Sequence, residues 1–417
     1  MFKISYYLVS LLLIFSINSS FAQNLKFVQI TDPHIFEANH RNKESRNSLV
    51  YFYLAIEKAN DINIDLKRKG EEELDFILMS GDLGIEKLLK LEPISKNPEA
   101  FKFTQDGETF ALVKDQEKWD GALQALTKLL QDSEVKTWLF VPGNNDIYED
   151  QPETIKFYKE FVDELKVLPQ IKTAGIKIVD FRLEAEDKIT SKSIPGTYTK
   201  GNLFVVGLDN SFFKNSGSLK TFLNVDGSIK PKEQTTEYAR MHKLSETLKN
   251  SKQKYAYVFL HIPEIDDPWL AKFNPEDKDA KNPVYKKMKK VQSESPELAK
   301  TINPYSSWMV PDYIRQEWEN IITNKNFGSP EVKGIFTGHF HDQDKHTYSG
   351  FHWLKSTTYN LEILSKLYIS PTVSVKNQLS YLIDKDCARG LQYIVIDQNS
   401  GKVKRKLFWL YNHNNGQ

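Results

Sequence analysis

The chain has 417 residues, of which 56 are basic and 55 acidic, and its formal net charge is +1. This balance excludes a general electrostatic attraction to nucleic acids or membrane surfaces, and a hydrophobic content of 40% excludes a disordered chain. The one cysteine, Cys387, excludes an intrachain disulfide, so the fold must be held by its core. We therefore expect a globular protein with no nucleic-acid partner, and no obligate protein partner is evident.

Residues 1–22 have the features of a signal peptide. Lys3 precedes an apolar stretch, and Ser20 and Ala22 are small residues at the two positions that a signal peptidase reads. An uncleaved anchor is the alternative, but the apolar stretch has 12 residues, whereas about 20 are needed to span a bilayer. We expect cleavage before Gln23 and an exported protein, periplasmic or secreted, without a membrane anchor.

From residue 23 onward, apolar runs alternate with segments of helical periodicity. The apolar runs have the length and composition of buried strands and lie at residues 25–30, 76–79, 138–141, 257–260 and 332–336. Apolar side chains recur at helical spacing at residues 48–69, 119–130 and 155–165. The alternation predicts an α/β layered domain over residues 23–417.

Two stretches between the predicted strands, residues 85–116 and 266–311, are polar and rich in Lys, Glu, Asn and Pro. We interpret them as insertions that form lids or pocket walls. A C-terminal strand region is predicted at residues 367–410, with a hairpin around Asn399-Ser400-Gly401. This region is expected to complete the same domain, since about 50 residues make only a marginal core of their own.

A polar motif follows each of the five apolar runs, where each strand would end. The motifs are Asp32-Pro33-His34, Gly81-Asp82, Gly143-Asn144-Asn145-Asp146, His261 and Gly338-His339-Phe340-His341. Strand ends are where open α/β sheets place their active sites, and these side chains are the oxygen and nitrogen ligands that two divalent metals about 3.5 to 4 Å apart require. A lone Asp or His at a strand end is more often a turn former or a satisfied hydrogen-bonding group. Five motifs in this order favour a dinuclear site.

The motif order resembles that of the calcineurin-like metallophosphoesterase superfamily, from about residue 24 to about residue 364. The acid sphingomyelinase-like and endopolyphosphatase-like branch is the nearest, through the stretch Gly207-Leu208-Asp209-Asn210. The resemblance implies a four-layer sandwich of two mixed β-sheets flanked by helices, with two divalent metal ions that could be Mn, Zn, Fe or Ca. It also implies that Asp82 bridges the metals. The first metal would be held by Asp32, His34 and His341, and the second by Asn144, His261 and His339.

Two such metals lower the pKa of a bound water and orient the resulting hydroxide toward phosphorus, so the resemblance implies hydrolysis of phosphoric esters or anhydrides. Most relatives carry a histidine as proton donor where this chain has Asn145. An amide cannot deliver a proton at physiological pH, and acid catalysis is worth about 10² to 10⁴ in rate. We therefore expect phosphoanhydride substrates, such as polyphosphate or nucleoside polyphosphates. Asn145 and Asp146 are the predicted catalytic residues, and Asp146, Tyr148 and His346 are candidate proton donors.

Two other functions stay open on the sequence alone. A phosphodiesterase of sphingomyelinase-like or cyclic-nucleotide type fits the motif order, and a metal-binding protein with little turnover fits the loss of the histidine. A purple acid phosphatase is excluded because Ile85 stands where that subclass has a tyrosine ligand.

Basic residues cluster at 278–290 and 402–406. A solvated face is the favoured explanation for both clusters, and a track for a polyphosphate-like substrate is the alternative.

Overall fold

The computed structural model describes most of the chain between Gln23 and Leu410. The described residues are 23–36, 48–105, 107–148, 151–184, 195–211, 213, 219, 221–265, 273–274, 276–279, 281–323, 330–339, 363, 365–371 and 389–410. The predicted signal peptide and the candidate site residues His341 and His346 lie outside these ranges. Within them, no helix combines the length and the apolar character needed to cross a membrane.

Strands and helices alternate along the described ranges, as the periodicity predicts. The strands are β1 (Leu25–Ile30), β2 (Phe76–Ser80), β3 (Leu89–Pro93), β4 (Phe101–Gln105), β5 (Glu108–Lys114), β6 (Thr137–Val141), β7 (Lys177–Asp180), β8 (Thr197–Lys200), β9 (Leu203–Gly207), β10 (Tyr255–Phe259), β11 (Glu331–Thr337), β12 (Leu367–Ile369), β13 (Gly390–Ile396) and β14 (Val403–Trp409). The α-helices are α1 (Ser48–Arg68), α2 (Gln116–Gln131), α3 (Ile155–Val167), α4 (Pro169–Thr173), α5 (Thr236–Asn250), α6 (Pro283–Glu294), α7 (Pro296–Ala299) and α8 (Asp312–Ile322). The five predicted strands that lead into motifs match β1, β2, β6, β10 and β11 to within two residues at each end.

Two mixed sheets form the centre of the fold. The first has the order β14-β13-β1-β2-β6-β7, in which β1, β2, β6 and β7 run parallel and the hairpin strands β13 and β14 are antiparallel. The second has the order β12-β11-β10-β9-β8 and is parallel except for β8. Because parallel strands carry their carboxyl ends to the same edge of a sheet, the polar motifs after these strands are gathered at one edge of each sheet.

An aromatic core lies between the two sheets. The ring of Phe27 on β1 is 5.0 Å from that of Phe76 on β2, and 5.3 Å from those of Phe259 and Phe336 on the second sheet. All four side chains are fully buried. Since successive residues of a strand point to opposite faces, the neighbouring Val28 packs in the core on the outer face instead. This apolar layer holds the two sheets face to face.

Helices cover the outer face of each sheet. On the first sheet, α1, α2 and α3 pack their apolar sides against residues such as Ile77 and Trp138. On the second, α5, α6 and α8 pack against residues such as Val258 and Ile335. The order of layers is therefore helix, sheet, sheet, helix. The predicted α/β sandwich of two mixed sheets flanked by helices is confirmed.

The polar stretch at residues 85–116 folds into a short 3₁₀ turn, Ile85–Leu88, and a third, antiparallel sheet of order β3-β5-β4. This small sheet packs beside the segment that carries the third motif, where the rings of Phe103 and Tyr148 meet edge to face at 5.2 Å. Leu89, Phe103 and Leu112 belong to the core on the outer side of the first sheet. The stretch is thus an ordered element next to the predicted site.

The C-terminal hairpin of β13 and β14 turns at the predicted position. Asp397 Oδ1 accepts hydrogen bonds from the backbone of Asn399 and Ser400, and Gly401 has a φ of 66° that favours glycine. Strand β14 is the edge of the first sheet, and its Lys404 and Lys406 are exposed. Lysines on an edge strand discourage pairing with another chain, which accounts for the second basic cluster.

Replacing Phe27 by alanine should destabilise the fold by about 3 to 5 kcal/mol, because it leaves a cavity between the sheets. Chemical denaturation measures the loss. Tyr53→Ala is the control, because the Tyr53 side chain is 39% exposed and its truncation should change stability by only about 0.5 kcal/mol. Equal losses in the two variants would contradict the placement of Phe27 between the sheets.

Candidate metal centre

The predicted ligands lie at the seam between the two sheets. The first sheet contributes Asp32 and His34 after β1, Asp82 after β2 and Asn144 after β6, and the second contributes His261 after β10 and His339 after β11. Five of the six are buried, and His339 is partly buried. His341, the seventh predicted ligand, lies outside the described residues. The structure therefore brings together every described residue that the motifs identify as a ligand.

Two groups of side chains are spaced as metal ligands, and they share one carboxylate. Asp32, His34 and Asp82 form the first group, and Asp82, His261 and His339 form the second; within each group, the ligand atoms all lie within 4.8 Å of one another. Asp82 Oδ2 is 3.7 Å from His34 Nε2 and 3.2 Å from His261 Nε2. A carboxylate that belongs to both groups is the geometry that a bridging ligand requires.

Buried lone pairs support this interpretation. Among the described residues, Asn144 Oδ1 and His261 Nε2 are buried and have no hydrogen-bond partner. Leaving a buried acceptor unsatisfied costs about 1 to 3 kcal/mol, so such atoms require an explanation. A cation held by both atoms would satisfy them, and carboxylate, amide and imidazole donors without a thiolate suit a hard or borderline divalent ion. The residues present therefore fit a metal.

The tautomer of His261 follows from its surroundings. Its Nδ1 lies 2.8 Å from the backbone carbonyl oxygen of Ser80. A carbonyl can only accept, so Nδ1 carries a proton, and Nε2, which faces Asp82, is the nitrogen that would bind a metal. A hydrogen bond from the far nitrogen to a carbonyl is the usual way of orienting a metal-ligating histidine.

The carboxylates make the site electronegative. Burial alone would lower the pKa of His261, but the charges of Asp82 and Asp32 outweigh burial and raise this pKa to about 9. Burial likewise opposes ionisation of Asp82, yet His261 and His34 hold the pKa of that carboxyl well below its usual range. Both shifts mean that the buried carboxylates stabilise positive charge beside them, and a divalent cation is one form that this charge can take.

Four of the candidate ligand residues have a left-handed backbone. Asp32, His34, Asp82 and His339 have φ values of 51°, 43°, 59° and 74°, and no other non-glycine residue in the described ranges has a positive φ. This conformation is unfavourable for residues with a Cβ and persists where the surrounding structure enforces it. Here it is enforced partly by the backbone, since the N–H of His34 donates to the carbonyl of Asp82 at 2.9 Å.

The motif glycines allow the loops to approach one another. A Cβ added at Gly81 would overlap the imidazole of His261, and one added at Gly143 would overlap the carboxylate of Asp82. A Cβ at Gly338 would meet the side chain of Thr31. These glycines are therefore required by the close packing of backbone on ligand side chains, in addition to any effect on φ.

Asn145 lies against the shared carboxylate. Its backbone N–H donates to Asp82 Oδ1 at 2.8 Å, and its side-chain Nδ2 donates to Asp82 Oδ2, also at 2.8 Å. Both oxygens of Asp82 are thus held by one residue. The catalytic role that the sequence predicts for Asn145 stays a prediction, and these contacts give the residue a positioning role.

Asp146 joins the loops after β2 and β6. Its Oδ1 accepts from the N–H groups of Gly84 and Ile85 at 2.9 and 3.3 Å, and its Oδ2 accepts from that of Gly143 at 2.9 Å. Burial and the charge of Asp82 raise the pKa of Asp146 to about 7, against the lowering effect of these N–H groups. The predicted catalytic role of Asp146 also stays a prediction, and its contacts are those of a loop brace.

Asn210 supports the site but was not among the predicted site residues. Its Oδ1 accepts from the N–H groups of His261 and Ile262, each at 3.2 Å, and its Nδ2 donates to the carbonyl of Ile262 at 2.6 Å. The sequence did contain a signal for Asn210, because this polar residue follows the apolar strand β9 closely, just as the predicted ligands follow their strands. Thr31, whose hydroxyl contacts Asp32 Oδ2 at 2.6 Å, was missed for a different reason, because its role depends on the packing of neighbouring loops.

Asn210→Ala should weaken metal binding by about 10- to 100-fold, because residues that orient metal ligands typically contribute that much affinity. Competition with a chelating dye measures the metal affinity, and thermal melting of the metal-free variant checks that it is folded. Asn224→Ala, in an exposed turn where Asn224 bonds Ser228, is the matched control and should bind metal as the wild type does. Equal affinities for the wild type and Asn210→Ala would contradict this role.

Comparison with known families agrees with the geometry. The family model described as calcineurin-like phosphoesterase matches residues 25–343, which is well over half of the chain and extends from β1 to the Gly-His-Phe-His motif. Among curated proteins, none matches this chain at a significant level. The superfamily and the enzyme class predicted from the motifs are thereby confirmed. The chain belongs to the calcineurin-like phosphoesterase family and is a metal-dependent phosphoester hydrolase.

Proposed function

We propose that the chain is an exported dinuclear phosphohydrolase that cleaves phosphoanhydride bonds of polyphosphate or nucleoside polyphosphates. The observation that carries the dinuclear assignment is the membership of Asp82 in both ligand groups. Export is inferred from the signal-peptide features of residues 1–22. The proposed ligands are Asp32, His34 and His341 for the first metal, Asn144, His261 and His339 for the second, and Asp82 for both.

The contacts of the site residues indicate the role that each would have in the reaction. Bound divalent cations supply Lewis acidity toward the phosphoryl oxygens and acidify a water at neutral pH. Asn145 holds the carboxylate of Asp82 through both of its oxygens, and Asn210 fixes the backbone that carries His261. The buried ligands exclude bulk water from the seam, which strengthens electrostatic interactions with the substrate.

The choice of phosphoanhydrides rests on the chemistry of position 145. An amide cannot protonate a departing alkoxide, and Nδ2 of Asn145 is directed at Asp82. Asp146 stays a candidate proton donor, and the hydrogen bonds that both of its oxygens accept from backbone N–H groups support a bracing role for it. A phosphate leaving group departs as a stabilised anion and has little need of a proton, whereas a simple alkoxide does.

Metal analysis tests the dinuclear proposal. The purified protein should hold close to two divalent ions per chain when loaded with Mn or Zn and measured by elemental analysis. Asp82→Ala should hold fewer than one, because removal of the bridge leaves each group with two of its three clustered residues. One ion per chain in the wild type, or full occupancy in Asp82→Ala, would contradict the bridging role.

Initial rates on a substrate panel test the substrate class. The wild type should cleave triphosphate nucleotides and polyphosphate at least about tenfold faster than alkyl monoesters or diesters, since acid assistance to poor leaving groups is worth about 10² or more. Asn145→His should narrow this ratio by supplying a proton donor. Asn145→Ala removes the side-chain contact to Asp82 without adding a proton donor. Comparison of this variant with Asn145→His therefore distinguishes the effect of losing the contact from the effect of gaining a proton donor. Preference for diesters would instead favour the phosphodiesterase of sphingomyelinase-like or cyclic-nucleotide type.

A further inference from the structure

A lysine-rich face of α6 is a charged surface that the metal centre does not use. Residues 281–290 contain five lysines and no acidic residue, in a protein whose net charge is only +1. Three of them, Lys286, Lys289 and Lys290, are exposed on the helix. Their spacing of three and four residues places them on one helix face, opposite the buried Val284 and Val291.

The charge of this face is not neutralised within the described part of the chain. No ion pair there involves Lys286, Lys289 or Lys290, and Glu294, at the end of α6, is the one acidic residue of the helix. Some helix lysines elsewhere do form ion pairs, as Lys166 does with Asp163 one turn away. Like charges at these spacings repel one another, so an external anion would relieve the repulsion.

Helix α6 is connected to the loop that carries His261 through Lys287, which lies beside the exposed lysine face. The Nζ of Lys287 donates to the carbonyl of Ser306 at 2.7 Å, and the hydroxyl of Ser306 donates to Glu264 at 3.4 Å. The indole N–H of Trp308 donates to the carbonyl of Ile262, the residue after His261, at 2.8 Å. These contacts connect α6, through the segment of Ser306 to Trp308, to the backbone next to His261.

We propose that the exposed lysine face of α6, formed by Lys286, Lys289 and Lys290, binds the distal phosphates of a linear polyphosphate whose terminal anhydride bond lies at the metal centre. This proposal rests on the phosphoanhydride activity proposed above and narrows it to a long-chain substrate. Lysine ammonium groups are compact charges that suit repeating phosphate oxygens without demanding a fixed geometry. The interaction extends the substrate contact beyond the phosphate that reacts.

Polyphosphate fits this surface better than other polyanions. The remaining exposed residues of the helix are Gln292 and Ser293, and its one aromatic residue, Tyr285, is partly buried, so the helix exposes no aromatic ring fully for nucleic-acid bases to stack on. It also presents no exposed apolar side chain that would enter a membrane interface. A flexible chain of phosphates needs only positive charge along its path.

Binding of long-chain polyphosphate to the metal-free, full-length mature protein tests the proposal without relying on turnover. Lys286→Gln/Lys290→Gln should raise the Kd about tenfold and make the salt dependence of log Kd shallower by about one to two units, because fewer counterions are released. The matched control is Lys172→Gln/Lys177→Gln, which removes two exposed lysines from α4 and from the amino end of β7, away from the carboxyl ends that carry the ligands. The control should bind as the wild type does. Thermal melting confirms that both variants are folded.

Kinetics on the metal-loaded proteins separate this proposal from the function on which it rests. In Lys286→Gln/Lys290→Gln, the ratio of kcat/KM for long-chain polyphosphate to kcat/KM for tripolyphosphate should fall about tenfold. The change should come from a higher KM for the long-chain substrate. The proposal would be overturned if the Kd and the kinetic ratio were unchanged in Lys286→Gln/Lys290→Gln, or if the control variant showed equal losses. It would also be overturned if the protein bound an RNA oligonucleotide or an anionic vesicle more tightly than polyphosphate. Each of these results would leave the phosphoanhydride activity in place. Absence of anhydride cleavage by the wild type would overturn both.

Discussion

The candidate site depends on one carboxylate, that of Asp82, and on how it is held. Its two oxygens accept hydrogen bonds from one residue, Asn145, while His34 and His261 face it from the two sheets. A buried carboxylate is unfavourable unless it is hydrogen-bonded and paired with positive charge. The surrounding loops meet this requirement, and in doing so they place the carboxylate where two ligand groups overlap. The glycines at 81 and 143 are consequences of the same constraint, because nothing larger fits against the histidine and the carboxylate.

Ligands that come from two sheets require that the sheets keep a fixed separation. The aromatic core around Phe27 fixes most of the separation between the sheets. Polar contacts add to it near the candidate ligands, where Gln29 on β1 donates to the carbonyl of Thr337 on β11 at 3.1 Å. A buried Arg182 also joins the sheets. Its guanidinium donates to both oxygens of Asp180 at the end of β7 and lies 3.7 Å from Asp209 after β9. Breaking such a buried pair typically costs about 3 to 5 kcal/mol, so the seam resists opening.

Much of the fold and the ligand set could be predicted because both leave local signals. A buried parallel strand appears as an apolar run, and a ligand at its end appears as a polar residue after that run, which is why the strand before Asp32 was located to the residue. The three-stranded sheet within residues 85–116 gave no such signal, since its strands are short, partly exposed and interspersed with lysine and glutamate. The contacts of Asn145 with Asp82 could not be predicted either. The two residues are 63 positions apart, and only the packing of the sheet brings their loops together.

The left-handed backbone at Asp32, His34, Asp82 and His339 has a consequence for how the protein would bind a metal ion. An unfolded chain visits this conformation only briefly, so the ligand geometry cannot exist before the two sheets have docked. An ion therefore meets this full set of candidate ligands only in the folded chain. Any ion bound this way stabilises the native state alone, by mass action. The supply of metal would then affect how long the folded chain survives, as well as how fast it works.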